Sequence, residues 1–261
     1  MIQFNPLSIN AQDISNQGIL SAAATGLSDF ILNKGADVDR IFGISGINPE
    51  LLLSPTLSLQ LTNYCEVLEQ SAKLSVCDNF GLHYGQQFHP KALGLIGYIG
   101  LCSASLEDAL KNMTSHFNLH QKDTLCRMVE VNDAYRFDYQ VQHGAILSRR
   151  QDAELTVGMF MNVIREVLGI HYSPREIHFE HPRPEFWQEH SKLFNASVFF
   201  DQPFNSILIA KSDLKTTMPQ SDPLLLTMML DTLKILNTQS QSQSLTNQVR
   251  AHIQQDLIHG E

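Results

Sequence analysis

The chain has 261 residues, 43% of them hydrophobic and 17% charged, with a formal net charge of −9. That composition builds a sizeable core and excludes a disordered chain, and the acidic balance argues against this portion gripping a phosphate backbone. Cys65, Cys77, Cys102 and Cys126 form no C-x-x-C pair, and neither a secretory leader nor an apolar run near the roughly 18 residues of a membrane span is present, so a cytoplasmic protein with reduced thiols is expected.

Taken in chain order, the first half reads as helices. Ile19, Leu20, Ala23, Leu27, Phe30 and Ile31 recur at helical spacing, and Gly35 stops that helix in the left-handed conformation. Asp37 to Phe42 predicts a short helix, and Asn48-Pro49 opens another. Leu57, Leu61, Tyr64, Cys65, Leu68 and Ala72 form the next apolar stripe. Ser105 caps a further helix, with Asp108 three residues on as a capping-box variant and Leu106, Ala109, Leu110, Met113 and Phe117 as the buried face.

After about residue 124 the period becomes two. Tyr135 to Val141 alternates as a half-buried strand, paired with Leu125 to Val131 through a turn at Asn132-Asp133. Asp152 to Leu168 is a helix apolar over a wide arc and closed by Gly169. Arg175 to Glu180, Ser197 to Phe200 and Ser206 to Ala210 read as strands, and Pro184 to Phe194 as a helix. Asp222-Pro223 then caps a long apolar helix to about Asn237. The run Thr238-Gln239-Ser240-Gln241-Ser242-Gln243-Ser244 has nothing to bury and reads as a linker, before helical spacing at Val249, Ile253 and Leu257. The fold class is therefore α+β: a helical N-terminal layer followed by an antiparallel sheet with flanking helices.

Motifs that carry chemistry are scarce. His116 and His120 have a zinc-compatible spacing but no H-E-x-x-H context, and a solvated helix end is the simpler reading. Gly94-Leu95-Ile96-Gly97-Tyr98-Ile99-Gly100 lacks the preceding strand of a dinucleotide site and fits close helix approach instead. Glu185 and Glu189 beside Trp187 read as a solvated helix face with the ring turned inward. No G-x-S-x-G elbow occurs, nor any Cys/His pairing that sequence alone supports. Residues 35–50 have a helix-turn-helix outline, but Asn48 to Leu53 offers no Arg or Lys to bases or phosphates.

Three ordered stretches resemble the N-terminal, arabinose-binding-type domain of AraC-family transcriptional regulators. These are Phe80-Gly81-Leu82-His83-Tyr84-Gly85 through Gly94-Leu95-Ile96-Gly97-Tyr98 to Ser103–Leu110; Ile177-His178-Phe179-Glu180-His181-Pro182-Arg183-Pro184; and Phe199-Phe200-Asp201-Gln202-Pro203-Phe204-Asn205-Ser206 with Leu214 and Asp222-Pro223. The resemblance spans roughly residues 18–237, and Val249 to Glu261 is similar to the opening helix of the AraC-type DNA-binding domain. It implies an effector-binding and dimerisation domain over 1–237, a linker over 238–248 and the first helix of a truncated helix-turn-helix domain over 249–261. The helix-rich first half departs from the jelly-roll barrel of the arabinose regulator and is closer to haem–nitric-oxide-binding sensor domains. Their Tyr-x-Ser-x-Arg motif is not matched by Tyr172-Ser173-Pro174-Arg175, so no cofactor is expected.

The implied function is a ligand-sensing, non-enzymatic regulatory domain whose partners are a small-molecule effector, a second copy of the chain and, through the C-terminal domain alone, DNA. Tyr98, Cys102, Phe117, Phe137, Tyr139, Phe160 and Phe179 are the expected pocket residues, where the helical and sheet layers should face each other. The resemblance also points to the helix beginning at Pro223 as the dimer contact, with Leu225, Met228, Met229, Thr232 and Ile235 at the interface. The competing readings are an α+β enzyme, hydrolase or reductase-like, with converging perturbed carboxylates or histidines, and a ligand-free interaction module.

Overall fold

The computed structural model describes residues 18–235; the linker and final helix expected over 238–261 lie outside the described residues. The chain enters as strand β1 (Gly18–Leu20), which pairs antiparallel with β2 (Ser58–Gln60). A short 3₁₀ turn at Ser21–Ala24 follows, then α1 (Leu27–Asn33). The single helix expected from Ile19 to Ile31 is thus broken in two, with Gly26 left-handed at the junction (φ 78°). Apolar spacing reports which residues are buried, and Ile19 is buried in either geometry. It does not report a partner strand some forty residues away, which lies so close that a Cβ on Gly18 would sit 1.8 Å from the Leu59 carbonyl oxygen.

The helical layer continues with α2 (Val38–Ser45), α3 (Leu61–Leu74), α4 (Phe80–Gln87), α5 (Leu95–Leu101) and α6 (Leu106–His120). Asp37 caps α2 by accepting the Arg40 N–H at 3.1 Å, while Asn48-Pro49 opens only a 3₁₀ turn at Pro49–Leu53. Ser105 caps α6: the Asp108 N–H donates to Ser105 Oγ at 3.1 Å, and the Ser105 hydroxyl donates to the Asp108 carboxylate at 2.7 Å, tying the two side chains together.

Strands β3 (Thr124–Val131) and β4 (Ala134–Val141) form the expected hairpin, with Asn132 left-handed at the turn (φ 53°). With β5 (Glu176–His178), β6 (Ser197–Phe199) and β7 (Asn205–Ala210) they make one sheet in the order β3-β4-β7-β5-β6. The β5–β6 pair is parallel, so the sheet is mixed rather than wholly antiparallel. The alternation in β4 also fails at Asp138, which is buried where a solvent-facing residue was expected. Arg127 and Arg136 donate to its carboxylate at 3.1 and 2.6 Å and the Ser206 hydroxyl at 3.0 Å, which removes the penalty of burying it alone.

Helix α7 (Arg150–Leu168) runs between the layers and ends at Gly169 (φ 90°). Helix α8 (Gln188–Phe194) starts later than Pro184, because Glu189 and His190 bond the carbonyls of Phe186 and Trp187 in a tight three-residue turn. One turn, α9 (Lys211–Leu214), leads to α10 over 223–235, which Asp222 caps by accepting the Leu225 N–H at 2.9 Å.

Glycines set the closest approaches. A Cβ on Gly100 would lie 2.5 Å from Met113 Sδ on α6, and one on Gly97 would lie 1.9 Å from the Pro90 carbonyl oxygen. Between α4 and α7 the backbones touch: a Cβ on Gly81 would stand 2.0 Å from the Gln151 carbonyl oxygen, and one on Gly85 would stand 2.6 Å from that of Leu155. Backbone cannot swing aside as a side chain can, so Gly81→Ala forces the two helices apart. We expect it to cost about 3 kcal/mol or more in urea unfolding, against less than about 1 for Gly144→Ala, where a new Cβ meets nothing within 4 Å. Equal losses at the two positions would contradict this packing.

Candidate functional site

The N-terminal half of α7 carries Arg150, Gln151, Asp152 and Glu154 into the interior, the last three buried. Such side chains survive burial only with partners. Asp152 Oδ2 accepts the Tyr139 hydroxyl at 2.5 Å, and Tyr139 in turn accepts from Gln121 Nε2 at 2.7 Å. The other oxygen, Asp152 Oδ1, meets no hydrogen-bond donor among the described residues. Burial pushes the Asp152 carboxyl up to about 7; the Tyr139 hydroxyl opposes that, while Glu69 and Glu180 add to it.

Aromatic rings pack around this carboxyl's partner. Phe117 meets Tyr139 edge-on at 5.9 Å and Phe160 at the same separation, and Phe160 lies 4.1 Å from Phe137. His120, expected on a solvated helix end, is instead buried against Phe117, with Nδ1 unpaired among the described residues and burial holding its pKa down to about 4. His116 bonds the Asn112 carbonyl and does not join it.

Four of the seven expected pocket residues, Phe117, Phe137, Tyr139 and Phe160, therefore converge between the layers. Phe179 is buried in a second aromatic group with His181, His190, Phe194 and Phe200. Cys102 follows α5, its carbonyl accepting the Asp222 N–H at 3.0 Å. Tyr98 is 38% exposed and lines a surface recess of about 710 Å³ with Thr25, Asp29, Leu52 and Lys91. Glu154 forms a separate polar centre. Burial alone would raise its pKa, but His190 at 2.8 Å, Arg150 at 2.8 Å and His181 at 3.4 Å outweigh that and lower it.

The expected interface residues sit on α10. Met228 and Ile235 are more than half exposed, as is Leu224 on the same face; Thr232 is exposed, Leu225 and Met229 are partly covered, and Leu233 is buried against the domain. Sequence reading passed over Gln121, Asp152 and Glu154. The usable signal was the apolar arc of α7, so wide that carboxylates at 152 and 154 had to lie inside.

A carboxyl whose folded pKa exceeds its unfolded one costs stability as pH rises. For Asp152 the cost is absent below about 4 and complete above about 7. His120 runs the other way, stability falling as pH drops from 6.5 towards about 4. Asp152→Asn should therefore stabilise the chain by on the order of 2–4 kcal/mol at pH 8, with less than half of that gain left at pH 5. A gain that does not change with pH in urea unfolding would exclude a protonated Asp152.

Residues 35–218 match the family described as the N-terminal arabinose-binding domain of AraC transcription regulators. The chain is 20% identical over 213 residues to the ornithine utilization regulator of Pseudomonas aeruginosa, covering 77% of this chain and 60% of that protein. The crystal structure of the transcriptional regulator CdpR from the same organism superposes with a TM-score of 0.53 at 15% identity, over 77% of this chain and 61% of CdpR. The chain thus spans about three fifths of the length of these relatives. Among the described residues no helix is long and apolar enough to cross a membrane. By the family match over most of its length, the chain belongs to the arabinose-binding domain family of AraC transcription regulators.

Proposed function

We propose that this chain is the effector-sensing and dimerising part of an AraC-type regulator, with DNA contacted by parts of the regulator other than residues 18–235. The effector site is the centre built from Gln121, Tyr139 and Asp152 with Phe117, Phe137 and Phe160. The observation that carries this reading is the Asp152 carboxyl, buried and bonded to the ring-packed Tyr139, yet with one oxygen lacking a donor among the described residues. A small ligand bearing an amine or another hydrogen-bond donor supplies that bond, with the rings covering its apolar part. Binding opens the contact between the layers and favours one arrangement of α6, a population shift rather than a reaction. The relatives' description as transcription regulators supports a sensor over a hydrolase or reductase.

A thermal-shift screen of small amines, amino acids and aromatic acids tests the site. At about a hundred times its Kd, a true effector adds about 2.7 kcal/mol, or several degrees in Tm. Asp152→Asn should abolish that shift while leaving a folded chain. If no compound moves Tm, the domain is a ligand-free interaction module; if a compound moves it equally in Asp152→Asn, the site lies elsewhere.

Dimerisation is assigned to the α10 face of Leu224, Met228 and Ile235, with Leu225, Met229 and Thr232 at its margin. Large apolar side chains in one exposed row are the chemistry of a self-complementary helix contact. Light scattering should give a dimer mass at high micromolar concentration and a monomer mass for Met228→Asp. A monomer in the unmodified chain, or a dimer that survives Met228→Asp, refutes this surface.

A further inference from the structure

A second group of side chains, which the effector site does not use, brings a thiol, an imidazole and a carboxylate into line at the surface between α4 and α8. Cys77 follows α3, its N–H closing that helix on the Ala72 carbonyl at 3.1 Å. Its Sγ lies 3.5 Å from His83 Nδ1 on α4, and His83 Nε2 lies 3.0 Å from Glu189 Oε2 on α8. Asn79 Nδ2 holds the same glutamate oxygen at 2.9 Å, and Lys34 Nζ stands 3.4 Å from His83 Nδ1.

Donor and acceptor chemistry fixes the roles. An ammonium only donates and an ionised carboxylate only accepts, so a neutral His83 carries its proton on Nε2 towards Glu189 and presents the Nδ1 lone pair to Lys34 and the Cys77 S–H. That is the order of a nucleophile, its base and the group that orients the base. The charged groups bearing on Cys77 are Lys34, Glu189, Asp78 and Glu154; burial raises the thiol pKa despite Lys34, so at rest it is a protonated thiol beside the His83 imidazole. The site is also reachable: Cys77 is only partly buried, and the His83 and Glu189 side chains are 28% and 45% exposed, whereas Cys65 and Cys102 are buried.

We propose that Cys77 is a covalent modification site for small, neutral activated olefins, with His83 as its base and Glu189 as the residue that positions His83. In the step, His83 Nδ1 takes the thiol proton as Sγ bonds to the β-carbon of an α,β-unsaturated carbonyl compound. The π pair moves to the α-carbon and carbonyl as an enolate, which recovers the proton from His83. The olefin adds whole, with no oxidant and no leaving group. Because Glu189 adjoins His190, the partner of Glu154, an adduct here acts on the tie between α8 and α7.

The test uses the full chain and acrylamide, following each cysteine peptide by mass spectrometry between pH 6 and 9. Cys77 should label first of the four cysteines, at a rate that rises less than about tenfold per pH unit, since an isolated thiol below its pKa gains about that factor. His83→Gln should slow Cys77 labelling at pH 7 by about tenfold or more, given the factors of 10² and above that a positioned base supplies. Glu189→Gln should move the pH profile downward, because the lost carboxylate no longer raises the thiol pKa, without preventing folding, checked by thermal unfolding. A native profile of isolated-thiol slope, labelling of Cys126 before Cys77, or a His83→Gln rate close to the native one would each overturn the assignment. None of these outcomes depends on whether an effector binds near Asp152.

Discussion

Contact between the backbones of α4 and α7 is the constraint on which the interior depends. With no Cβ at Gly81 or Gly85, the helices lie close enough for side chains of α7 to reach the ends of α4. The Gly81 N–H donates to Gln151 Oε1 at 2.6 Å, and Gln151 Nε2 donates to the Asp78 carbonyl at 2.8 Å. At the other end, Asn162 Nδ2 reaches the carbonyls of Gly85 and Phe88, each at 2.9 Å. Helix ends leave orphan N–H and C=O groups, and here the neighbouring helix satisfies them. A larger residue at 81 or 85 would separate α4 from these partners and leave polar groups buried on both sides.

The same placement sets the charge state of two carboxylates that differ by only two residues. About 200° of helix rotation separates positions 152 and 154, so they face different surroundings. Asp152 meets the Tyr139 phenol with no cation bonded to it among the described residues, and burial raises its pKa to about 7. Glu154 meets His190, Arg150 and His181, and stays ionised despite equal enclosure. Breaking the second centre is the costlier change, since removing a cation leaves an uncompensated buried charge, whereas Asp152 can simply take up a proton.

What the sequence disclosed follows the range of the forces involved. The hairpin at Asn132-Asp133, the Ser105 cap and the stop at Gly169 are decided by residues within a few positions of each other, and all three are read correctly. The β1–β2 pair depends on a partner far along the chain, at Leu59, and the burial of Asp138 on Arg127 and Arg136 in the hairpin together with the distant Ser206, and periodicity misassigned both. The aromatic residues divide for a similar reason. Phe137 and Tyr139 share one face of β4, so alternation places them together, and the helices carrying Phe117 and Phe160 pack on that face. Phe179 follows β5, two strands further across the sheet, a displacement no local pattern records. Cys77, His83 and Glu189 come from three elements, the last 106 positions beyond the second.

One element joins the aromatic centre to the exit of the domain. Helix α6 spans 15 residues, about 22 Å at the helical rise, with Phe117 and His120 in its last turn beside Tyr139. At its start, Leu106 N–H bonds the Thr216 carbonyl at 2.9 Å, Ser105 bridges Thr217, and the Met218 N–H reaches Ala104 at 3.2 Å. The segment 214–222 is therefore laid along the beginning of α6 and delivers Asp222, the cap of α10, to the carbonyl of Cys102. A rigid helix cannot absorb a displacement at one end without moving the other. A group inserted beside Asp152 that pushed Phe117 would tilt α6 and carry the cap of α10 with it, changing how Leu224, Met228 and Ile235 are presented. Cys102, expected to line the pocket, lies beside the cap of α10, where its carbonyl accepts the Asp222 N–H.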